Sequence, residues 1–399
     1  MTTDQFISEN RNAYVPSLAL KASRWPEVDM PYALDQIAGW QKAREKLPSF
    51  AATEGIVYPP HLSMEQCSSE LSARYKADLA RRIAPGGDTL VDLTGGFGVD
   101  FAFMSAQFEK AVYVERNPQL CQIAASNFKK LGLVNATAVN GEASAYLQQM
   151  HRADLVFIDP ARRDANGKKT VALADCTPNV VEMADTLRQK ADVAVLKLSP
   201  MLDWHKAVAD LGGNVAEVHV VSVEGECKEL LLVVMGDGQA ESRQARLVCA
   251  NIRGEGTEMF ENDGKEERAK AFAGQIGGLA SMFLYEPNAS IMKAGCFGSI
   301  ARKFRLEAIS ANSHLFVSPS EASGFPGRAF RITAATTMNK RGLKAALAGV
   351  ERANISVRNF PMQAEALRKR LKIGDGGSTY IFATTLHDGT KVLLITEKA

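Results

Sequence analysis

The chain predicts an α/β fold: a sheet of parallel strands that closes in an antiparallel hairpin, preceded by a helical region and followed by small α+β modules. Three observations predict it. Between residues 89 and 200, short apolar runs alternate with helical patterns, which implies βαβ units and a parallel sheet. Next, "AEVHVVSVEGE" (216–226) runs into "KELLLVVMG" (228–236) across a short turn. Strands joined so tightly must be antiparallel, because a parallel pair needs a crossover. Finally, residues 237–280 turn polar and Gly-rich before a new apolar module opens at "MFLYEPNASIMKAG".

Taken in order, residues 1–85 read as an N-terminal helical region, with Leu71, Tyr75, Leu79 and Ile83 at helical spacing. "APGGD" (84–88) breaks it. Strands are expected at 89–94, 111–116, 136–141, 154–160 and 192–200, and helices at 98–108, 118–131, 142–150 and 176–190. The Rossmann-like domain therefore spans 86–240, followed by a linker or extension at 241–280 and two small α+β modules at 281–325 and 326–399. At 399 residues the chain exceeds what one core organises, and 46% hydrophobic with 23% charged residues excludes global disorder. No basic-then-apolar leader opens the chain, and no apolar stretch reaches the roughly 18 residues of a membrane span. The six cysteines include no C-x-x-C pair, so neither zinc nor a disulfide framework is indicated. A reduced, cytoplasmic protein without membrane or metal is expected.

The chemistry concentrates at the strand ends. In "VDLTGGFGVD", Asp92 closes the first strand, and Gly96 and Gly98 sit in the turn. Glycine is needed where φ is positive or where a ligand presses on the chain. A dinucleotide fingerprint would be G-x-G-x-x-G, but here the third glycine is missing and an acid is present. That acid suits a cation. S-adenosylmethionine (SAM), with an ammonium and a sulfonium but no phosphate, meets this description; a plain tight turn is the alternative. Glu115 ends the second strand, 23 residues after Asp92, where an acid accepts both ribose hydroxyls. Glu142, after the third strand, either faces an adenine amino group or caps the next helix.

"VFIDPARRD" (156–164) ends the fourth strand. Amino-group methyltransferases acting on bases carry D/N/S-P-P-Y/F/W there: the first side chain and a proline carbonyl accept from the exocyclic amine, and the ring stacks on the base. Asp159 and Pro160 fit; Ala161 and Arg162 do not, which leaves Arg162 to stack by its guanidinium plane or to hold a phosphate. A D-P-[PA]-R variant serves uridine C5 methylation, which needs a cysteine nucleophile after the fifth strand. "VLKLSP" has none, which rejects that mechanism, Cys227 on the hairpin aside. Before the first strand, "MEQCSSELSARYKADLA" offers Gln66, Ser68 and Ser69 to the cofactor, or Ser68 or Ser69 as the N-cap of a capping box. Lys197 and Asp203, in "VLKLSPMLDW", stand at the fifth strand's C-terminal end as a buried pair or as substrate contacts.

Charge is unevenly spread. Residues 293–372 hold fifteen Lys/Arg against four Glu, a local +11, so the rest of the chain carries −9 within a net +2. This asymmetry suggests an anionic partner, the alternative being a solvated basic surface.

A parallel sheet with a terminal hairpin is the layout of class I methyltransferases. "EQCSSELSARYKADLA", "VDLTGGFGVD", "FIDPARRD", "KLSPMLDW" and "VVSVEGECKELL" resemble the bacterial class I SAM-dependent methyltransferases that carry a THUMP-like C-terminal domain. "LYEPNASIMKAG", "HLFVSP" and "FPGRAF" resemble that family's ferredoxin-like module, and "ANISVRNFPMQAEALRKRLKIGDGGSTYIFATTL" its THUMP-like domain. The catalytic half is more distantly similar to trimethylguanosine-synthase-type RNA methyltransferases, which place T-P-E where this chain has Ser68-Ser69-Glu70 and S-P-P-W where it has Asp159-Pro160-Ala161-Arg162. The resemblance implies a SAM-dependent enzyme with Asp159, Arg162 and Lys197 at the reaction centre. Gln66, Ser68, Ser69, Asp92, Gly96, Gly98, Glu115, Glu142 and Asp159 would contact the cofactor. THUMP domains elsewhere bind structured RNA, often the acceptor end of tRNA. Lys340, Arg341, Lys344, Arg352, Arg358, Arg368, Lys369, Arg370 and Lys372 are the candidates for phosphate contact. The expectation is methylation of a nucleotide in structured RNA, tRNA or rRNA, extruded beside Asp159. Its rivals are a small-molecule or protein substrate, and an RNA-binding protein whose SAM fold has lost activity.

Overall fold

The computed structural model describes residues 1–161, 172–212, 214–238, 244–254, 256–262 and 268–399. It divides into two compact units, Met1–Val223 with Lys228–Ala245, and Glu224–Cys227 with Arg246–Ala399.

The first unit opens with six helices, the longest being Met30–Lys46 and Glu70–Ile83. Its strands are β1 (Thr89–Asp92), β2 (Lys110–Glu115), β3 (Ala136–Asn140), β4 (Ala153–Ile158), β5 (Ala191–Leu198), β6 (Val215–Val223) and β7 (Glu226–Met235). They lie in the order β3-β2-β1-β4-β5-β7-β6. The first five are parallel, with Val91 opposite both Val112 and Val156, and Val156 opposite Ala194. β7 runs antiparallel to β5, with Val195 opposite Val233. Leu155, Val156, Phe157 and Ile158 are all buried, so both faces of β4 are covered, as a parallel sheet between helices requires. The β6–β7 turn places Glu224 and Gly225 at φ 50 and 82, the left-handed pair that suits a tight hairpin. Strand order reverses at β1, whose neighbours β2 and β4 leave a crevice at their C-terminal ends.

Helix Glu70–Ile83 departs from its sequence pattern. The apolar spacing puts Leu71, Tyr75, Leu79 and Ile83 on the inner face; of these Leu79 is buried, together with Glu70, Ser72, Ala73, Lys76, Ala77 and Ala80. The helix is rotated because Ser72 and Lys76 find buried partners, which outweighs the lost apolar contact.

In the second unit, the stretch expected to be a linker or extension with some strand holds a hairpin, β8 (Arg246–Arg253) antiparallel to β9 (Gly256–Glu261). The strands β10 (Phe283–Pro287), β11 (Glu307–Ala308), β12 (Phe316–Ser318), β13 (Gly327–Thr337), β14 (Asn354–Val357), β15 (Thr379–Thr385) and β16 (Lys391–Lys398) form one sheet, ordered β11-β12-β10-β13-β16-β15-β14. The two modules read separately in the sequence thus share a sheet, joined where β10 pairs with β13. Alternate residues serve opposite faces. Leu284, Phe330, Phe382 and Leu394 face Phe272, Leu279 and Leu315; Ile381, Ala383, Leu393 and Ile395 pack under Leu343, Ala346, Leu367 and Leu371. Among the described residues, no helix is long and apolar enough to cross a membrane, and no group of three His, Cys, Asp or Glu is placed to hold a metal.

Candidate active site at the parallel strand ends

Asp92, the last residue of β1, is only 1% exposed. Its Oδ1 accepts from the Thr94 amide at 2.9 Å, and Thr94 Oγ1 accepts from the Asp159 amide at 2.6 Å, which fastens the ends of β1 and β4 together. Burial pushes the Asp92 carboxyl well above its usual range; the Thr94 amide opposes this, and Asp100 and Asp159 add to it.

The glycines that follow do different work. A Cβ on Gly95 would lie 1.9 Å from the Tyr113 ring, and one on Gly98, at φ +83, would lie 2.9 Å from Phe128. Both are needed for packing. Gly96, at φ +55, has only the Thr94 carbonyl at 4.0 Å where its Cβ would stand, so the backbone there borders open space. Its amide donates to Glu115 Oε2 at 2.9 Å, and the Asn117 amide donates to Oε1 at 2.7 Å. Two backbone donors therefore lock the Glu115 carboxylate beside the gap, and each of its oxygens keeps a lone pair for a further donor.

Behind the crevice lies a buried ionic network. Lys76 Nζ reaches both oxygens of Glu229 (2.7 and 2.8 Å), Ser72 Oγ (2.7 Å) and Ser68 Oγ (3.2 Å), and lies 3.2 Å from Asp100 Oδ1. Ser68 Oγ donates to Asp100 Oδ2 at 2.8 Å. Lys197 Nζ donates to the same Asp100 oxygen at 3.3 Å and to Asp159 Oδ2 at 2.6 Å. Burial alone would push the Lys197 ammonium down, but Asp159, Asp100 and Glu229 outweigh it and hold it well above the usual lysine range. Burial likewise would raise Asp100, but Lys76, Lys197 and Ser68 hold it below the usual carboxylate range.

The structure thus brings together Ser68, Asp92, Gly96, Glu115, Asp159 and Lys197. Ser69 is the N-cap of helix Glu70–Ile83, its Oγ accepting from the Ser72 amide at 3.3 Å. Gln66 is exposed at the end of helix His61–Gln66. Glu142 occupies an N-cap position but makes no side-chain cap bond, so its exposed carboxylate is not spent on the helix. The Lys197–Asp203 pair is corrected: Asp203 is exposed and caps helix Trp204–Asp210, while Lys197 takes Asp159 and Asp100 instead. Arg162 lies outside the described residues. Sequence reasoning missed Lys76, Asp100 and Glu229; the visible signal was polar residues at Ser68, Ser72 and Lys76, four apart around one helical face.

In the second unit, Lys340, Arg341 and Lys344 are exposed on helix Lys340–Ala346. Lys369, Arg370 and Lys372 are exposed on helix Ala364–Leu371 and its left-handed cap. Both helices pack their apolar sides against the same core, so these six cations border one layer of the sheet. The remaining candidates are engaged within the fold. Arg358 donates twice to Glu286 Oε1 (3.1 and 2.9 Å), Arg368 donates to Asp375 Oδ1 (2.5 Å) and Arg352 to the Asp375 carbonyl (2.8 Å).

Fold and crevice together define a Rossmann-like, class I methyltransferase architecture with an appended C-terminal sheet unit. Residues 283–326 match the family model of a ferredoxin-like domain, and residues 327–398 that of a THUMP domain-like domain. A crystal structure from Porphyromonas gingivalis W83, of a protein provisionally named a methyltransferase, is 30% identical, covers 99% of this chain and 97% of its own, and superposes with a TM-score of 0.86. The chain belongs to that methyltransferase family. An rRNA methylase from Streptococcus thermophilus is 12% identical over 41% of this chain and 94% of its own (TM-score 0.32). The M. jannaschii tRNA m1G37 methyltransferase is 17% identical over 43% and 51% (TM-score 0.31). No curated protein matches the sequence.

Removing one partner of a buried ion pair strands the other. Lys76→Met is expected to lower the unfolding free energy by about 3–5 kcal/mol, read from urea midpoints, and Lys76→Met/Glu229→Leu to recover part of that loss. The Asp92 carboxyl keeps its proton in the folded state after the unfolded chain has lost it. Wild-type stability therefore falls as pH rises above 3.8 towards the raised folded value. Asp92→Asn lacks this fall, so its urea midpoint relative to wild type is expected to climb with pH across that window.

Proposed function

We propose that the protein is a SAM-dependent methyltransferase acting on a nucleotide of a structured RNA, tRNA or rRNA. The observation that carries the reading is the opening at Gly96, bordered by the locked Glu115 carboxylate at the β1/β4 switch point, next to the Asp159–Lys197 pair. The donor set fits a cationic nucleoside. Four carboxylates (Asp100, Glu115, Asp159 and Glu229) stand against two lysines (Lys76 and Lys197), an excess that favours an ammonium and a sulfonium over a pyrophosphate. Glu115 would take the ribose hydroxyls, Glu142 the adenine amino group, and the Asp92–Gly96 loop the amino-acid end.

When bound, SAM supplies an electrophilic methyl group. The protein's part is positioning. Lys197 pins Asp159 Oδ2, and Oδ1 has no partner among the described residues. Oδ1 is thus set to accept a hydrogen bond from the acceptor N–H, with the Pro160 carbonyl as a second acceptor. Thr94 fixes the Asp159 backbone, so this carboxylate is oriented from two sides. The six exposed cations of the C-terminal unit supply an RNA grip that is independent of sequence.

A second reading, a small-molecule or protein substrate, is favoured by the sequence Asp159-Pro160-Ala161-Arg162, which has Arg162 where base-directed enzymes carry a stacking ring.

Asp159→Ala is expected to abolish transfer while changing the calorimetric affinity for SAM less than about threefold, since its loss removes only one side chain of the donor set. Comparing modified nucleosides in RNA from cells with and without the gene tests the substrate directly: one modification should disappear. Lys340→Ala/Arg341→Ala/Lys344→Ala should weaken binding of bulk tRNA and reduce the slope of log K against log salt by about 2 to 3. A slope near zero in the wild type would select the second reading.

A further inference from the structure

The site described above lacks a ring to hold a base, yet the neighbouring loop carries one. After β1 the ring is Phe97, which is buried; the end of β2 contributes Tyr113, also buried; after β4, Asp159-Pro160-Ala161 has none. After β5, seven residues beyond Lys197, comes Trp204, which is half-buried, with the exposed His205 beside it. Among the described residues of these four strand-end loops, these are the rings that reach solvent.

The loop that carries them is braced. The Met201 amide donates to Ser199 Oγ (3.2 Å) and the Leu202 amide to the Ser199 carbonyl (3.1 Å). Leu202 is buried at 4% exposure, and Asp203 Oδ1 accepts from the amides of His205 (2.9 Å) and Lys206 (3.3 Å). The loop therefore starts at the lysine that pins Asp159 and ends at an indole held by fixed turns. Met201, 77% exposed, leaves an uncovered apolar side chain on the same loop.

One face of the indole already carries a flat ring. The His205 imidazole stacks on Trp204 with centroids 3.6 Å apart and planes at 25°. That imidazole is 70% exposed, and its ion-pair partner is Asp203 at 3.4 Å. A rotation about its χ1 to another staggered rotamer would release that face, giving up the stack and the Asp203 contact.

We propose that Trp204 is the stacking platform for the base of the acceptor nucleotide, taking the place of the ring absent after Asp159-Pro160, with the base displacing His205. The inference rests on the reading of this site as a nucleotide methyltransferase centre. Every base has a π-face, so the platform admits an extruded nucleotide while Asp159 reads its exocyclic edge.

The chain has three tryptophans, so Trp25→Phe/Trp40→Phe leaves Trp204 as the reporter. The full-length protein is titrated with AMP, GMP, CMP and UMP, with and without S-adenosylhomocysteine, whose own binding is followed by calorimetry. At least one mononucleotide should quench Trp204 emission. Base–aromatic stacking implies that Trp204→Ala, in the otherwise native chain, weakens that nucleotide at least about tenfold. Trp204→Phe and His205→Ala should each stay within about threefold of wild type. The proposal is overturned if no nucleotide quenches Trp204, or if Trp204→Ala binds as the wild type does. Quenching without any S-adenosylhomocysteine binding would sustain the stacking platform and remove the donor reading. Nucleoside-independent transfer to a peptide would do the reverse.

Discussion

The first unit is organised around a buried lysine. Lys76 comes from a helix that precedes the sheet, yet its ammonium joins β7 through Glu229 and the helix after β1 through Asp100. Asp100 in turn meets Lys197 on β5, and Lys197 meets Asp159 at the end of β4. Elements far apart in sequence are thus tied by charge in a place where water is excluded. Such a network stabilises only when every member is satisfied, because an unpaired buried charge is costly. Its geometry is accordingly narrow, and Asp159 inherits that precision.

Division of labour among the glycines follows from the same closeness. Gly95 and Gly98 exist because Tyr113 and Phe128 fill the space where side chains would begin. Gly96 alone borders an opening, and the carboxylate beside it is held by two backbone amides before any ligand arrives. An acid preorganised in this way loses little freedom on accepting hydroxyl donors. The second unit shows a related economy of charge: Glu286 on β10, 4% exposed, is flanked by Arg328 on β13 and Arg358 just past β14. Part of the basic excess of this region is thereby spent on holding the sheet. The rest, on the helices around Lys340 and Lys369, remains on the outside.

Much of this was legible in the sequence. Strand order aside, every strand of the parallel sheet falls within two residues of its expected end, since buried strands between helices leave uninterrupted apolar runs. Asp92, Glu115, Asp159 and Lys197 were visible because each ends a strand, and strand ends converge at one edge of a parallel sheet. The rotation of helix Glu70–Ile83 was not legible. An apolar stripe at Leu71, Tyr75 and Ile83 is the pattern the sequence shows, and burial of Lys76 is accommodated by distant partners, Glu229 and Asp100, that this pattern does not contain.

By itself, then, the sequence determined the alternation of strands and helices, the acids at their ends and the basic bias of the last hundred residues, because these depend on local periodicity and composition. Tertiary structure decided which partner each charge takes: Lys197 with Asp159 rather than Asp203, and Arg358 with Glu286 rather than solvent. Pairing energies depend on distances of a few ångströms between residues up to 157 positions apart, and no local pattern encodes them.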